Sequence, residues 1–405
     1  MPHFRWIIGV ALCLLLHGRG NCAVTSDSKN QPDPDLAVVA YWITDLQYTN
    51  PGLRSYGAVK VHHTVSAIAA DGTQYYRVSP YLSNLGVLGL LCTSIPNRVL
   101  IAERWIKWYA FHLTPDSAPD GVPYEHFYLA DGSGETTCVK PGDHFLCHYN
   151  DATDSAAATF FSVLWAYYEA GGRTAFDAPE LKPQIETLAT VLLSLQQADG
   201  LCWAKADYRA KYLEDNSEVY AGLRALANLE EVAFKDKVHA QNYAEAASRV
   251  QHGIMTELYD AQTKLYHPAK FEDGKLSAAN LNVWFPDTQS QLWPQLFGVV
   301  APTDPKAQAT LNNFNHYWNG KVKPDWATTP HLAAGGWIAV DVAYAAWLAG
   351  DTKRVATYLA AVKRLKFPVS AQDTGFAWPF TVADAGWLLQ LMAAKQKVET
   401  LVPHQ

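Results

Sequence analysis

Carboxylates stand where several apolar helices are predicted to begin, and in this 405-residue chain they are the side chains best suited to proton transfer. A general acid working with a base or a nucleophile needs two carboxyl groups held on opposite sides of one bond. Six carboxylates occupy such helix starts: Asp151, Asp154, Glu214, Asp215, Glu218 and Asp287. We predict Asp154 and Asp215 as the reacting pair, with Asp287 and Asp151 as further candidates.

The same carboxylates also suit a structural role. Aspartate is a favoured N-cap, and an acidic side chain in the first helical turn is stabilised by the helix dipole. Asp151 followed three residues later by Asp154 has the spacing of a cap, and Asp287 could begin its helix in the same way. The two roles are compatible, because a helix N-terminus that opens into a cleft both needs a cap and presents it to a ligand.

Aromatic side chains form a second group near the same predicted helix starts. The chain has 14 Trp and 21 Tyr residues, and an indole ring in a polar loop offers a flat apolar surface to a ligand. The candidates for substrate contact are Trp203, Trp284, Trp293, Trp337, Trp378, Tyr149, Glu218 and His331. Some of these rings are expected to pack between helices instead, Tyr149 among them.

A repeated pattern positions these residues: a short polar or aromatic loop runs into an apolar helix rich in small residues. It occurs six times, beginning at Pro80, Tyr149, Leu213, Phe285, Pro330 and Trp378. Amphipathic stretches of helical period alternate with it, at 36–47, 97–113, 179–198, 238–260, 304–318 and 351–366. The alternation predicts twelve helices in six hairpins, with the N-termini of the inner helices directed at one face.

Two segments interrupt the helical pattern. Residues 57–79 are rich in β-branched side chains around an Asp-Gly turn, which predicts extended or hairpin structure. Residues 114–149 form the longest interruption, and within it Cys138 and Cys147 flank a Pro-Gly turn, so we predict a disulfide across a small hairpin. Cys92 and Cys202 could form a second bridge, unless Cys92 is a buried thiol of its apolar helix.

The N-terminus has the pattern of a secretory signal. A positively charged start precedes the apolar stretch 6–16 and a small-residue cleavage region, so we predict a signal peptide over 1–23. A flexible leader over 24–34 and one domain over 35–405 would follow. We expect an exported protein, periplasmic, cell-surface or secreted, that is a monomer without a membrane span.

Composition limits the classes of ligand. The formal net charge of −7 gives no basic surface for nucleic acid or an anionic membrane. We expect no cofactor and no metal ion, because no His/Asp cluster in the sequence has the spacing of a ligand set.

The segments GAVKV, PYLSNLGVLGLL, NDATDSAAATFFSVLWAYY and DNSEVYAGLRAL, set in the six-hairpin pattern, resemble the six-hairpin glycosidase-type toroid, the (α/α)6 barrel. The resemblance covers essentially the whole mature chain. It implies an all-α fold with small β-hairpin insertions and a carbohydrate-handling cleft at the N-terminal ends of the inner helices. Such toroids host several activities, so the residues must decide among them.

A glycoside hydrolase is the function that the carboxylates favour. Asp154 and Asp215 belong to neighbouring inner helices, whose axes would lie roughly 8–10 Å apart. Their carboxyl groups could then be separated by roughly 6.5–9.5 Å, the spacing that leaves room for a water in an inverting mechanism.

Two alternatives stay open. A polysaccharide lyase on an acidic glycan would need a His or Tyr base beside Arg or Lys, and Lys205, Arg209 and Lys211 lie between Trp203 and Asp215. The chain could also be a non-catalytic glycan-binding or exopolysaccharide-assembly protein that keeps the fold without the chemistry.

Overall fold

The structure is a computed structural model. It describes residues 34–113, 121–140, 146–329, 331–332, 337–363 and 380–401. The predicted signal peptide, nearly all of the predicted leader and Trp378 lie outside the described residues, and so do the side chains of His331 and Trp337.

Helices dominate the described part of the chain. The twelve α-helices are α1 (Pro34–Asp45), α2 (Pro80–Leu91), α3 (Arg98–Phe111), α4 (Thr153–Glu169), α5 (Leu181–Leu195), α6 (Leu213–Leu229), α7 (Lys237–Gly253), α8 (Trp293–Leu296), α9 (Pro305–Tyr317), α10 (Val340–Leu348), α11 (Thr352–Val362) and α12 (Val382–Leu401). All six amphipathic stretches of the sequence are helical, as α1, α3, α5, α7, α9 and α11.

The six small-residue segments become helices with different degrees of regularity. Helices α2, α4 and α6 begin within a few residues of their predicted starts. The fourth segment is irregular: a π-helical turn over Trp284–Thr288 and a 3-10 turn over Gln289–Leu292 lead into the short α8. The fifth helix was predicted to begin at Pro330 but begins at Val340, after a sequence with Gly335 and Gly336, which are poor helix formers.

Burial explains the difference between the two sets of helices. Helix α4 buries most of its residues, on all sides, which requires the apolar and small side chains seen in its sequence. Helix α5 instead buries a single stripe that includes Ile185, Leu188 and Leu192 and leaves its other face to solvent.

The inner elements pack in a closed order. Helix α2 packs on α4, α4 on α6, α6 on α8, α8 on α10, α10 on α12, and α12 returns to α2. The amphipathic helices pack beside them: α3 on α2, α5 on α4, α7 on α6, α11 on α10 and α1 on α12, while α9 packs on the 3-10 turn before α8. None of the helices in the described residues is long and apolar enough to cross a membrane.

Short strands decorate the helices. They are β1 (Ala67–Ile68), β2 (Gln74–Val78), β3 (His126–Tyr128), β4 (Cys138–Val139), β5 (Leu146–Cys147), β6 (Ala210–Tyr212), β7 (Tyr259–Asp260), β8 (Leu265–Tyr266), β9 (Ala269–Phe271), β10 (His331–Leu332) and β11 (Trp337–Ile338). They form one three-stranded sheet, β1-β2-β3, and four antiparallel pairs, β4-β5, β6-β9, β7-β8 and β10-β11.

Two predictions about the irregular segments are confirmed. Strands β1 and β2 form a hairpin around Asp71-Gly72, where Gly72 has a φ of +86°. Cys138 and Cys147 lie opposite each other in the β4–β5 pair and form a disulfide. The second possible bridge is wrong, since Cys202 is a free thiol buried in the core.

Glycine allows α2 and α12 to touch backbone to backbone. A Cβ atom on Gly89 would lie 2.1 Å from the carbonyl oxygen of Gly386, and one on Gly386 would lie 2.2 Å from the carbonyl oxygen of Leu85. Real Cβ atoms do not approach so closely, so the first and last inner helices meet only because neither carries a side chain there.

We therefore expect Gly386→Ala to destabilise the fold. The substitution adds up to about 1 kcal/mol of helix propensity, but overpacking against a backbone atom costs typically about 1–3 kcal/mol or more. Urea unfolding should show a net loss of stability. The matched control is Gly52→Ala, whose Cβ would meet only Asn50 Oδ1 at an ordinary 3.4 Å. Equal stability of the two variants would contradict the close contact.

Candidate active site

The first turns of the six inner elements meet at one cavity of about 310 Å³. Every inner element contributes to its wall. The wall includes Arg77, Tyr81, Asp151, Ser155, Glu214, Asp215, Phe285, Gln289, Trp293, Asp341, Asp384 and Trp387. Carboxylates at separate helix starts therefore face one space, as the sequence pattern predicts.

Asp215 is a buried carboxyl group in the first turn of α6, with 8% of the residue exposed. Burial, together with the nearby charge of Asp151, raises its pKa to about 7, and the Ser155 hydroxyl offsets part of this effect. A carboxyl group with this pKa still holds its proton much of the time at neutral pH. Asp215 can therefore act as a proton donor.

Asp151 is the exposed carboxylate of the wall. It lies just before α4, where it accepts a hydrogen bond from the Tyr149 hydroxyl at 2.9 Å. Its charge contributes to the raised pKa of Asp215 and of Glu214. Since Asp151 and Asp215 come from neighbouring inner helices and interact electrostatically, the cavity holds two carboxyl groups in different surroundings.

Asp154 lies next to this pair but is not a wall residue. It is fully buried in the first turn of α4, where its Oδ1 accepts a hydrogen bond from the Ser155 backbone N–H at 2.8 Å and its Oδ2 has no hydrogen-bond partner. Burial, and then the charge of Asp215, raise the pKa of Asp154 well above its usual range. Its surroundings within the helix packing thus favour the neutral form of Asp154 over the carboxylate.

Asp287 and Glu218 also lie outside the wall. Asp287 Oδ1 accepts the backbone N–H of Asn280 at 3.0 Å and so holds the loop before α8. Glu218 is one turn further along α6 than Glu214, is buried, and accepts a hydrogen bond from the Tyr81 hydroxyl at 2.9 Å. Burial and the charge of Asp215 raise the pKa of Glu218 well above its usual range.

Asp341 is a wall carboxylate that the sequence reasoning missed. Its Oδ2 accepts hydrogen bonds from Gln289 Nε2 at 2.8 Å and from Trp293 Nε1 at 3.1 Å. Burial raises its pKa to about 6 despite these bonds. The helix was predicted to begin ten residues too early, so its true first-turn carboxylate was overlooked. The Gly335-Gly336 pair was the signal for the later start.

Asp384 in the wall is a helix cap. Its Oδ2 accepts hydrogen bonds from the backbone N–H and the hydroxyl of Thr381, at 2.7 and 2.8 Å, at the start of α12. This is a capping box, and burial raises the pKa of Asp384 to about 7.

Four aromatic side chains of the described residues line the cavity, Tyr81 among them. Trp293 was predicted to do so, and its indole nitrogen is held by Asp341. Trp387 from α12 and Phe285, which is 40% exposed, were not predicted. These rings give the acidic cavity an apolar side.

The other predicted aromatic contacts whose side chains the structure describes lie elsewhere. Trp284 is buried and packs edge-to-face on Trp318. Trp203 is half-buried, with the Lys211 ammonium 4.3 Å from its ring centre. Tyr149 lies outside the wall but orients Asp151.

One cation lies among the described wall residues. Arg77, at the end of β2, pairs through two of its nitrogens with the buried Glu125, with Nε 2.7 Å from Oε2. Glu125 therefore holds Arg77 in an ion pair. Among the described residues, five further carboxyl groups line the wall without an ion pair of their own: Asp151, Glu214, Asp215, Asp341 and Asp384.

Solved glycosidase structures share this fold. An α-amylase from Clostridium perfringens aligns with a TM-score of 0.56 and 11% identity, over 89% of this chain and 97% of that one. A glycosidase variant in complex with glucose aligns with a TM-score of 0.59 and 14% identity, over 92% and 100%. A rhamnosidase from Klebsiella oxytoca with rhamnose bound aligns with a TM-score of 0.52 and 14% identity, over 93% of this chain and 65% of that one.

Neither a protein-family model nor a curated protein sequence matches the chain. At identities of 11–14% the structural likeness shows the fold alone. The chain therefore has a glycosidase-type fold, with an acidic, partly aromatic cavity where its inner helices begin.

The raised pKa of Asp215 predicts a pH dependence of stability. Between the usual carboxyl pKa of about 3.9 and about 7, the folded state binds more protons than the unfolded state, so the free energy of unfolding falls as pH rises. Asp215→Asn keeps the shape of the neutral acid and removes this loss. Between pH 5 and pH 8, we expect the free energy of unfolding of the variant to fall by about 1–3 kcal/mol less than that of the wild type.

Urea unfolding at the two pH values measures the difference. Asp273→Asn, on an exposed turn, is the matched control and should follow the wild type. If the free energies of unfolding of Asp215→Asn and of the wild type change equally between the two pH values, the pKa of Asp215 is not raised in the folded state.

Proposed function

We propose that this chain is an exported glycoside hydrolase on an (α/α)6 toroid, with Asp215 as general acid and Asp151 as the second carboxylate. The observation that carries the proposal is that these two carboxyl groups, one buried and one exposed, line one cavity with Trp293 and Trp387. The closed packing order of the inner helices, with an amphipathic helix beside each inner element, supports the toroid.

The two carboxyl groups suit the two roles in glycosidic cleavage. Asp215 carries a proton that it can donate to the leaving oxygen, because burial keeps its pKa near neutrality. Asp151 is exposed and its Oδ1 accepts a hydrogen bond from the Tyr149 hydroxyl, which holds the carboxylate at the cavity wall, where it would act on a water or a sugar carbon. Tyr149 is thus a positioning residue.

This assignment changes one member of the pair predicted from the sequence. Asp154 was preferred there; we prefer Asp151, because Asp154 is fully buried and is not among the wall residues. We assign Asp154 and Glu218 to the packing around Asp215. We assign Asp341 to the fixing of Trp293, on which a sugar ring would stack.

The wall favours a hydrolase over a lyase. The candidate tyrosine base, Tyr81, donates its hydroxyl proton to Glu218, and burial raises the pKa of Tyr81 well above its usual range. The wall arginine, Arg77, is already paired with Glu125, so among the described wall residues an acidic sugar would find neither a base nor an unpaired cation.

The basic residues after Trp203 do not supply that cation either. Lys205 donates to the Asn150 carbonyl, Lys211 lies 2.6 Å from Asp199, and Arg209 pairs with Glu272. None of the three is a wall residue.

Export and a monomeric state belong to the same proposal. The Cys138–Cys147 disulfide is compatible with an oxidising compartment, which suits the predicted signal peptide over 1–23. Carbohydrate is the proposed substrate, and the acidic wall disfavours polyanions.

Substitution of each aspartate tests the assignment. In an assay of reducing ends released from neutral polysaccharides, Asp215→Asn and Asp151→Asn should each lower kcat/KM by about 10²–10⁴-fold. Asp154→Asn should keep most of the activity, because Asp154 is already neutral and outside the wall. Wild-type activity should fall as pH rises through about 7, where Asp215 loses its proton.

One control variant and three contrary outcomes complete the test. Asp273→Asn on the exposed turn should match the wild type. Activity lost in Asp154→Asn and kept in Asp151→Asn would return the role to Asp154. A product with the ultraviolet absorbance of an unsaturated sugar would establish a lyase. Glycan binding without any cleavage would establish a binding protein.

A further inference from the structure

A second cluster of polar side chains lies away from the cavity. Its members are His112, the C-cap of α3; His126, the first residue of β3; and Glu135, in the segment after β3. His112 and His126 are buried and Glu135 is 19% exposed. One possible ligand atom from each lies within 4.8 Å of the others, and none of the three has a role in the proposed hydrolysis.

The hydrogen bonding of His112 leaves one ring nitrogen as a lone-pair donor. Its Nδ1 lies 2.7 Å from the backbone carbonyl oxygen of Trp108, which can only accept, so Nδ1 carries the proton. In the neutral imidazole Nε2 is then unprotonated, and it lies 2.9 Å from Glu135 Oε1. A lone pair facing a carboxylate oxygen needs a proton or a metal cation between them.

His126 gives the second, independent observation. Its side chain is only 3% exposed, and neither ring nitrogen has a hydrogen-bond partner in the described part of the chain. Its Nδ1 lies 3.0 Å from the same Glu135 Oε1, the distance of an ion pair when the ring is protonated. This buried imidazole therefore has one nitrogen facing a carboxylate oxygen and one, Nε2, with no polar partner in the described part of the chain. A proton or a bound cation between Nδ1 and that oxygen would offset the lost hydration of the ring.

The surroundings complete the pattern of a metal site. Glu135 Oε2 pairs with Arg54, so Oε1 is the oxygen directed at the two imidazoles. The Tyr128 hydroxyl donates a hydrogen bond to the same Oε1 at 2.9 Å, so it lies beside the three ligand atoms. Ligating histidines usually donate their other N–H to a backbone carbonyl, and ligating carboxylates are themselves hydrogen-bonded. His112 and Glu135 both meet these conditions.

We propose that His112 Nε2, His126 Nδ1 and Glu135 Oε1 bind a divalent transition-metal ion of the Zn²⁺ type, with the Tyr128 hydroxyl or a water as fourth ligand. Two imidazoles and a carboxylate are a donor set that Zn²⁺ takes in proteins, at about 2.0–2.2 Å per bond. Tetrahedral geometry at those lengths separates ligand atoms by about 3.3 Å. The two nitrogen-to-oxygen distances, 2.9 Å from His112 Nε2 and 3.0 Å from His126 Nδ1 to Glu135 Oε1, need to grow by only a few tenths of an ångström.

The ion would act as a structural clamp. It joins the C-terminal end of α3 to β3 and to the segment after it. The residue next to His126 is Glu125, which holds Arg77 in the cavity wall. The metal would therefore fix the strand from which the wall arginine is held, without itself touching the cavity.

Metal titration of the full chain tests the proposal. After treatment with a chelator, Zn²⁺ should bind tightly with one ion per chain, measured by calorimetry. At free Zn²⁺ 100-fold above the Kd, the unfolding equilibrium constant should fall by about 100-fold, seen as a raised Tm. Co²⁺ in place of Zn²⁺ should give the strong visible absorption of a four-coordinate ion with nitrogen ligands.

Variants locate the ion. His126→Gln and Glu135→Gln should weaken binding by more than about 100-fold, since even outer partners of metal ligands contribute 10–100-fold. His239→Gln is the matched control, because His239 lies in a surface cluster with Glu186 and Asp236 that could bind metal adventitiously. It should leave the tight site unchanged.

Three results would overturn the proposal: no tight ion in the folded wild type, tight binding that survives His126→Gln, or tight binding lost in His239→Gln. If His126→Gln fails to fold, the wild-type stoichiometry and the Co²⁺ spectrum still decide. Hydrolytic activity is not a readout here, so this proposal and the proposed function can fail separately.

Discussion

Close backbone contact between neighbouring inner helices sets where the carboxyl groups meet. Gly89 and Gly386 bring α2 against α12, and a Cβ on Gly222 of α6 would lie 2.4 Å from the carbonyl oxygen of Ala158 in α4. Helices that pack this closely leave little room for side chains between them. Their first turns therefore converge on a small cavity, and a carboxylate in the first turn faces either that cavity or the packing between helices.

Whether an acid faces the cavity or the packing between helices affects how strongly burial raises the pKa of its carboxyl group. Asp154 and Glu218 face the packing, where burial without a countercharge keeps them protonated. The pKa of Asp215 is raised less, to about 7, and its residue is 8% exposed at the cavity wall, whereas Glu218 is 1% exposed. Two carboxyl groups can take different chemical roles only if their surroundings differ, and the contrast between Asp215 and the exposed Asp151 provides that.

Sequence patterns predicted the helices better than the site. Small-residue and amphipathic segments alternate because inner helices are buried on all sides and outer ones on one, and that difference is visible in composition. The fifth helix start was placed ten residues early, because its apolar residues extend back to Pro330, and Asp341 was missed with it. Asp151 and Asp154 could not be told apart, since three residues separate them and only the exact helix start decides which one faces the cavity.

The cluster of His112, His126 and Glu135 could not be predicted from spacing in the sequence. Its members are brought together from a helix end, a strand and the segment after that strand, so no short spacing in the sequence marks them. Alternation along β3 explains the arrangement: His126 and Tyr128 share one face of the strand and point to Glu135, while Phe127 points to the other face, against Ala67 and Val139. Glu125, one residue before His126, is thereby directed to Arg77. Strand β3 thus carries two side chains of the proposed metal site, and the residue just before it carries the carboxylate that pairs with Arg77. A shift of this strand would therefore move both the proposed metal site and the ion pair of the cavity wall.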